Sequence, residues 1–231
     1  MSNQYYRLPG GLVCALQADT PFPPLENALE EPNGLIAIGG DLNPYRLLNA
    51  YRQGIFPWFS QNEPILWWSP DPRMVLFPDE LKISRSLAKR LKHRDYEIRF
   101  NTAFQKVIAA CAATPRVGQD GTWITDDIMQ GYTTLHQLGY AHSAETWMNG
   151  KLVGGLYGVK LGRMFYGESM FHHVTDASKL AFVHMVQRLQ AHGCGMIDCQ
   201  MKTLHLLSLG AREIPRAEFS QRLLELVHYP A

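Results

Sequence analysis

The sequence predicts an α+β protein, because strand-like and helix-like runs are mixed along the chain. Three strand-like runs follow one another in the C-terminal half, at residues 141–148, 151–159 and 164–169. Asn149-Gly150 is a typical hairpin turn between the first two. Apolar residues at helical spacing then predict a helix over residues 176–192, and a short apolar run predicts a strand over residues 196–199. This meander, helix and strand are the main evidence for the class.

The N-terminal third of the chain contains shorter elements and more proline and glycine. An apolar run predicts a strand over residues 35–38. Asn43 is a typical helix N-cap, and Pro44 suits the first helical position, where no backbone donor is needed. We therefore expect a helix that runs to Gln53 and ends at Gly54.

Longer elements follow residue 74. Strands are predicted at residues 75–77 and 96–100, and helices at residues 102–113, 125–138 and 216–227. Thr125 is a typical N-cap, and the two aspartates after it favour the first turn of a helix. This change from short elements to longer ones near residue 74 predicts two domains. They are a small N-terminal α/β domain over residues 1–74 and a C-terminal domain over residues 75–231.

Composition narrows the class of protein. The 231 residues are 46% hydrophobic and 19% charged, as in a globular protein. No apolar run approaches the roughly 20 residues that span a bilayer, and no secretory signal is visible, so no membrane partner is expected. The four cysteines form no CxxC pair and no ligand ladder with histidine. We expect reduced thiols in a cytoplasmic protein, and no metal.

An aromatic segment over residues 54–73 combines five large rings with four prolines. Proline fixes φ and removes a backbone donor, so a regular helix or strand is not expected here. Two interpretations are open. The segment either fills the protein's own core or forms a rigid platform beside a cleft.

A basic segment over residues 82–106 carries eight basic and two acidic residues, a net charge of +6 in a chain of net charge +1. Ser84 is a plausible helix N-cap there. We expect a helix after Ser84 with one basic face. That face is either an ordinary solvated surface or a contact for the phosphates of a polyanion. The candidate phosphate ligands are Lys82, Arg85, Lys89, Arg90, Lys92 and Arg94.

The meander, helix and strand resemble the skeleton of the acyl-CoA N-acyltransferase superfamily. The string QAHGCG at residues 190–195 also matches the loop that holds the pyrophosphate of CoA in that superfamily. Such a loop must open a helix, where free N–H groups face the phosphates. Here the glycines follow the predicted helix, so we expect a shared skeleton without a CoA site.

Two acids lie in apolar surroundings, Glu168 near the end of the meander and Asp198 on the strand after the helix. Gln200 follows two residues later, so strand alternation predicts that it shares the face of Asp198. Each acid alone is explained equally well as a structural cap. Together they suggest the polar rim of an apolar pocket, formed by Leu156, Phe165, Met170, Phe182, Met185 and Ile197.

Ten blocks occur in an order that resembles the leucyl/phenylalanyl-tRNA–protein transferase family. They are EPNGLIAIGGDL, GIFPWF, ILWWSPDPR, GTWIT, HSAETW, LVGGLYGV, YGESMF, DASK, IDCQ and SLGAREIPR. The likeness extends from about residue 22 to residue 219. The resemblance implies a bacterial enzyme that moves Leu or Phe, and Met less well, from aminoacyl-tRNA to an N-terminal Arg or Lys. The product is marked for degradation. It also implies an acyltransferase-like C-terminal domain and no cofactor. We expect a monomer, although the sequence does not settle the oligomeric state.

The resemblance further assigns roles to the acids and the amide. In that family, the glutamine that matches Gln200 is proposed to act on the attacking amine, and the aspartate that matches Asp198 is proposed to orient this glutamine. A neutral amide is a poor base, so we expect Gln200 to orient the amine by hydrogen bonding, while the terminal hydroxyl of the tRNA relays the proton. Glu168 and Asp198 have a second expected use, which is to select a positively charged acceptor.

The resemblance also places the tRNA donor. The aminoacyl side chain is expected in the apolar pocket, where the family carries methionine at the position of Leu156 and phenylalanine at that of Met185. The ratio of Leu to Phe transfer therefore stays open. The terminal adenosine is expected to contact Tyr51, Trp58, Trp123 and Tyr132. Trp67 and Trp68 are expected in the core. A CoA-dependent acetyltransferase and a non-catalytic RNA-binding module remain the competing classes.

Overall fold

The computed structural model describes residues 4–115 and 122–228 and confirms the α+β class. A five-stranded sheet occupies the N-terminal part, with the strand order β1-β2-β3-β5-β4. Its strands are β1 (Gln4–Leu8), β2 (Gly11–Leu16), β3 (Leu35–Gly39), β4 (Phe56–Pro57) and β5 (Leu66–Trp68). Helix α1 (Pro44–Arg52) begins at Asn43, whose side chain accepts a hydrogen bond from the backbone N–H of Arg46, as the sequence predicts.

The aromatic segment is more regular than expected. Strands β4 and β5 lie within it and pair antiparallel, with Phe56 opposite Trp68 and Pro57 opposite Trp67. The prediction of a segment without strands is therefore wrong. Proline is tolerated here because β4 is at the edge of the sheet, where one side of the strand needs no backbone donor.

A seven-stranded sheet forms the C-terminal part, with the order β12-β6-β11-β10-β9-β8-β7. Its strands are β6 (Arg73–Leu76), β7 (Glu97–Phe100), β8 (Ala141–Met148), β9 (Lys151–Leu161), β10 (Met164–His172), β11 (Met196–Gln200) and β12 (Arg212–Ile214). The remaining helices are α2 (Arg85–Leu91), α3 (Phe104–Ala112), α4 (Asp126–Gln137), α5 (Ala177–Ala191), α6 (Leu204–Ser208) and α7 (Arg216–Val227).

The meander, helix and strand occur as predicted. Strands β8, β9 and β10 are antiparallel neighbours, and β11 pairs parallel to β10 after the α5 crossover. Gly193 follows α5 with φ of 72°, so the glycines of residues 190–195 lie at the carboxyl end of the helix. A CoA pyrophosphate needs the opposite end of a helix, so this loop cannot hold it.

The core crosses the predicted domain boundary. The strands of the two sheets separate along the chain between Trp68 and Arg73. One buried cluster nevertheless contains residues from both parts, including Trp67, Tyr132 and Phe219. Helix α7, from the C-terminal part, also packs against α1 of the N-terminal part. Because the two parts share packing, a domain boundary near residue 74 stays a prediction. No helix among the described residues is long and apolar enough to cross a membrane.

Candidate active site

A cavity of ≈ 410 Å³ is lined by residues from both parts of the chain, a size suited to a small ligand or an amino-acid side chain. Its walls come from β4 and the residue after it, from β9, β10, α5 and β11, and from residues up to 206. The structure brings the six apolar residues proposed from the sequence together around this one space: Leu156, Phe165, Met170, Phe182, Met185 and Ile197.

Gln200 and Asp198 do not share a face of β11. A β-bulge opposite β6 sets Asp198 against Val75 and Gln200 against Met74, so Cys199 is an extra residue between them. Gln200 also has a left-handed backbone, with φ of 56°. Gln200 lines the cavity while Asp198 is fully buried beneath it. The prediction of a shared face is wrong because the bulge breaks the two-residue alternation of the strand.

Asp198 is paired with Arg73, for which the sequence predicts no role. Arg73 Nε lies 2.8 Å from Asp198 Oδ1, and Arg73 Nη2 lies 2.7 Å from Asp198 Oδ2. The guanidinium sits between the rings of Phe56 and Phe219, at 4.8 and 4.6 Å from their centroids. Asp198 therefore lies outside the cavity rim, and its charge is compensated, so the expectation that it selects a cationic acceptor is wrong.

The buried pair also holds the amide in place. Asp198 Oδ1 accepts a second hydrogen bond, 2.9 Å long, from the backbone N–H of Gln200. The Gln200 Nε2 atom is buried and has no hydrogen-bond partner among the described residues. A polar atom left unpaired in an apolar cavity is costly unless a ligand satisfies it.

Glu168 is the extra residue of a second bulge, on the neighbouring strand β10. Its Oε1 accepts a hydrogen bond from the Tyr51 hydroxyl at 2.7 Å, and its Oε2 accepts one from the Tyr132 hydroxyl at 3.0 Å. The two hydroxyls also contact each other. Burial raises the pKa of the Glu168 carboxyl to about 7, although both tyrosine hydrogen bonds favour the ionised form. The group therefore titrates near neutral pH.

Two of the four predicted adenosine contacts do not offer a ring to a base. Tyr51 and Tyr132 are fully buried, and burial together with Glu168 raises the pKa of both phenols well above 10. Stacking of an adenine on these rings is incompatible with this structure, because they support Glu168 from beneath. Trp58 and Trp123 are half-buried and line the cavity, so they remain candidates for stacking.

The chain matches two family models, described as leucyl/phenylalanyl-tRNA protein transferase over residues 75–224 and the N-terminal domain of that protein over residues 40–71. The chain belongs to the leucyl/phenylalanyl-tRNA–protein transferase family. A curated member from Nitrosomonas europaea is 64% identical over 219 residues, which cover 95% of this chain and 92% of the relative. Another, from Chromobacterium violaceum, is 65% identical over 209 residues, which cover 90% and 89%.

The solved structures that match this chain share little of its sequence. A ribosomal-protein-alanine N-acetyltransferase from Brucella melitensis covers 60% of the chain, and 94% of its own chain is matched, with a TM-score of 0.35 and 13% identity. A conserved protein from Staphylococcus epidermidis covers 78%, with 68% of its own chain matched, a TM-score of 0.43 and 10% identity.

The remaining predicted tRNA contacts lie on and beside α2, which packs against α5. Ser84 Oγ accepts a hydrogen bond from the backbone N–H of Leu87, as a capping serine does. Arg90 is half-buried and paired with Asp95 at 2.6 Å. The other predicted phosphate ligands are exposed: Lys82, Arg85, Lys89, Lys92 and Arg94.

Two further cavity-lining groups bear on chemistry. Burial raises the pKa of the Cys199 thiol, so it stays protonated near neutral pH and is a poor nucleophile. His205 on α6 lines the same cavity, and the sequence predicts no role for it. No spacing signal marks it, because it lies in a short helix that was not predicted. Across the described residues, no group of three or more His, Cys, Asp or Glu is placed to hold a metal ion.

Proposed function

We propose that this chain transfers leucine or phenylalanine, and methionine less well, from aminoacyl-tRNA to the N-terminal Arg or Lys of an acceptor protein. The observation that carries the proposal is the unpartnered amide of Gln200 in an apolar cavity that also contains the Glu168 carboxylate. The new N-terminal residue marks the acceptor for degradation.

The donor half of the cavity suits an aminoacyl ester. The apolar wall accepts a side chain, and Met170 and Met185 can adapt to guests of different shape. Pockets of this kind separate side chains that differ by one methylene by only about 1–3 kcal/mol, so several apolar amino acids are expected as substrates. Trp58 and Trp123 at the wall provide stacking surfaces for the terminal adenine.

The exposed basic side chains on and beside α2 suit the tRNA body. They are exposed, whereas Arg90 is half-buried and paired with Asp95. Phosphate contacts of this kind position a nucleic acid without recognising its bases. This fits an enzyme that chooses its donor by the attached amino acid.

The chemistry requires mainly positioning, because the ester is already activated. The α-amine of the acceptor attacks the ester carbonyl, the C–O bond to the ribose breaks, and one proton moves from nitrogen to the departing oxygen. Gln200 is suited to hold the amine or the carbonyl by hydrogen bonding, because it lines the cavity, its amide nitrogen has no partner among the described residues, and its backbone N–H is held by Asp198. A carboxamide is too weak a base to accept the proton itself.

The acceptor side is assigned to Glu168. When ionised it contributes a negative charge inside the cavity, which favours an N-terminus that carries an additional basic side chain. Asp198 does not share this role, because Arg73 already neutralises it.

Labelled Phe-tRNA and a peptide beginning with Arg, incubated with the protein in the absence of CoA and ATP, test the proposal. We expect incorporation of label into the Arg peptide and far less into a matched peptide beginning with Ala. Binding of the tRNA without incorporation would instead indicate an RNA-binding module. Modification that occurs only when acetyl-CoA is added would indicate an acetyltransferase.

Gln200→Glu tests the orienting role assigned to the amide. A carboxylate at this position can act as a base, whereas an orienting amide loses its donor when it is replaced. We therefore expect slower transfer by the variant at neutral pH. Faster transfer would show that this site requires a base.

A further inference from the structure

A second unpartnered nitrogen lies in the cavity wall. His205 lines the cavity, and its Nε2 atom is buried with no hydrogen-bond partner among residues 4–115 and 122–228. Most of the lining side chains are apolar. The amide nitrogen of Gln200, which lines the same cavity, is also buried without a hydrogen-bond partner among the described residues. Two such atoms in one cavity indicate that the same ligand satisfies both.

The backbone around His205 is held firmly. Thr203 caps α6, since its Oγ1 accepts a hydrogen bond from the backbone N–H of Leu206 at 3.2 Å. The carbonyl of His205 accepts a hydrogen bond from the Ser208 hydroxyl at 2.6 Å. The backbone that carries the cavity-lining imidazole is therefore fixed, two residues after Thr203.

The surroundings of His205 keep the imidazole neutral at pH 7. Burial lowers its pKa below the ordinary 6.5, and the charges of Lys179 on α5 and His172 at the end of β10 lower it further. Lys179 itself pairs with Asp176 at 2.8 Å, and Glu168 is the carboxylate that lines the same cavity. A neutral imidazole has a free lone pair and can accept a proton.

We propose that His205 transfers the proton in the aminoacyl-transfer step. This inference rests on the proposed function. Nε2 accepts the proton that the attacking nitrogen loses as the new C–N bond forms. It then gives this proton to the ribose oxygen as the C–O bond breaks. The imidazole is regenerated, and the products are the extended peptide and a free tRNA hydroxyl.

The other polar groups of the cavity are less suited to this task. Gln200 offers a carboxamide, which has almost no basicity. Both oxygens of Glu168 already accept hydrogen bonds from tyrosine hydroxyls, so its carboxylate is engaged at a fixed place. The role of Glu168 in selecting the acceptor and the role of His205 in proton transfer are therefore separable.

Chemical rescue of His205→Ala by imidazole tests the inference. Loss of a general base lowers turnover by about 10²–10⁴-fold, so we expect at least about a 100-fold fall in kcat with little change in the KM for Phe-tRNA. Added imidazole should restore part of the turnover, 4-methylimidazole more and 1,2,4-triazole less, in the order of their basicity. A merely structural role would not produce this order.

Gln200→Ala and His205→Gln are the matched controls, and neither should respond to imidazole, because the first retains His205 and the second leaves no space. Thermal unfolding of each variant shows whether it is folded. A His205→Ala enzyme within about threefold of wild-type turnover would overturn the inference, and so would a folded, inactive variant that no imidazole rescues. Absence of transfer by the wild-type protein would instead overturn the proposed function.

Discussion

Arg73 and Asp198 form a two-point ion pair in which neither side chain is exposed to solvent. The pair joins neighbouring strands β6 and β11, and the same carboxylate accepts the backbone N–H of Gln200. Asp198 therefore fixes the left-handed residue that turns the amide toward the cavity. Its expected influence on the reaction is through the position of Gln200, without contact with the substrate.

Asp198→Asn should cost about 3–5 kcal/mol in the free energy of unfolding, because it leaves the Arg73 charge buried and uncompensated. Glu80→Gln is the matched control. Glu80 pairs with Arg212 at 2.9 Å, but both side chains are largely exposed, so we expect a loss of less than about 1 kcal/mol. Urea unfolding measures both values. A loss for Asp198→Asn no larger than that for the control would contradict the assigned burial of the charge.

The sequence supported the prediction of residue types in the cavity and of the elements that carry them. The meander, α5 and β11 follow from periodicity and turn residues, which are local signals. The two bulges do not. Glu168 and Cys199 are each an extra residue on one strand, and nothing in the local pattern marks where the pairing register shifts. This is why strand alternation wrongly predicts a shared face for Gln200 and Asp198.

Long-range pairing explains the other omissions. Arg73 and Asp198 are 125 residues apart in sequence, and Tyr51 and Glu168 are 117 apart. Such partners cannot be inferred from spacing. The resemblance predicts tRNA contacts for Tyr51 and Tyr132, although their hydroxyls donate hydrogen bonds to Glu168. Resemblance to a family can indicate that a position matters without indicating what its side chain touches.

The Glu168 carboxyl should make stability depend on pH between about 4.5 and 7, because its folded pKa is about 7 and its ordinary value is 4.5. In this window the folded protein binds more protons than the unfolded chain, so the free energy of unfolding falls as pH rises through 7. The contribution amounts to at most about 3 kcal/mol. Urea unfolding across this pH range measures it.

Glu168→Gln should remove this part of the pH dependence and be more stable than the wild type above pH 7, because an amide bears no charge to bury. Glu30→Gln, at an exposed glutamate, is the matched control and should retain the wild-type slope.

Glu168→Gln should also reduce discrimination between acceptor peptides, although it increases stability above pH 7. Preference for Arg over Ala peptides should weaken in Glu168→Gln, and in the wild type as pH falls below 7. Equal discrimination in both proteins at pH 8 would refute the selecting role.

Trp58 and Trp67 should separate binding from folding. Trp58 is half-buried at the cavity, so Trp58→Ala should raise the KM for Phe-tRNA by roughly 5- to 150-fold, the equivalent of about 1–3 kcal/mol of stacking, with a small change in Tm. Trp67 is fully buried, and its Nε1 donates to the Gly39 carbonyl at 2.8 Å. Trp67→Ala should instead lose about 3–5 kcal/mol of stability. A Trp58→Ala enzyme with wild-type KM would remove this ring from the donor site.

Lys89 and Arg90 are adjacent on α2 but differ in their charge environment, which predicts different salt dependence. Lys89 is exposed, whereas Arg90 is paired with Asp95 and lies over the ring of Tyr96 at 5.2 Å. Each phosphate contact contributes about 0.7–0.9 to the slope of log K against log salt concentration. Lys89→Gln should therefore reduce the slope for tRNA binding by nearly this amount, and Arg90→Gln by clearly less. Fluorescence anisotropy with labelled tRNA over a series of KCl concentrations gives both slopes. An unchanged slope in Lys89→Gln would mean that its phosphate contact is absent, whatever the two substitutions do to affinity at one salt concentration.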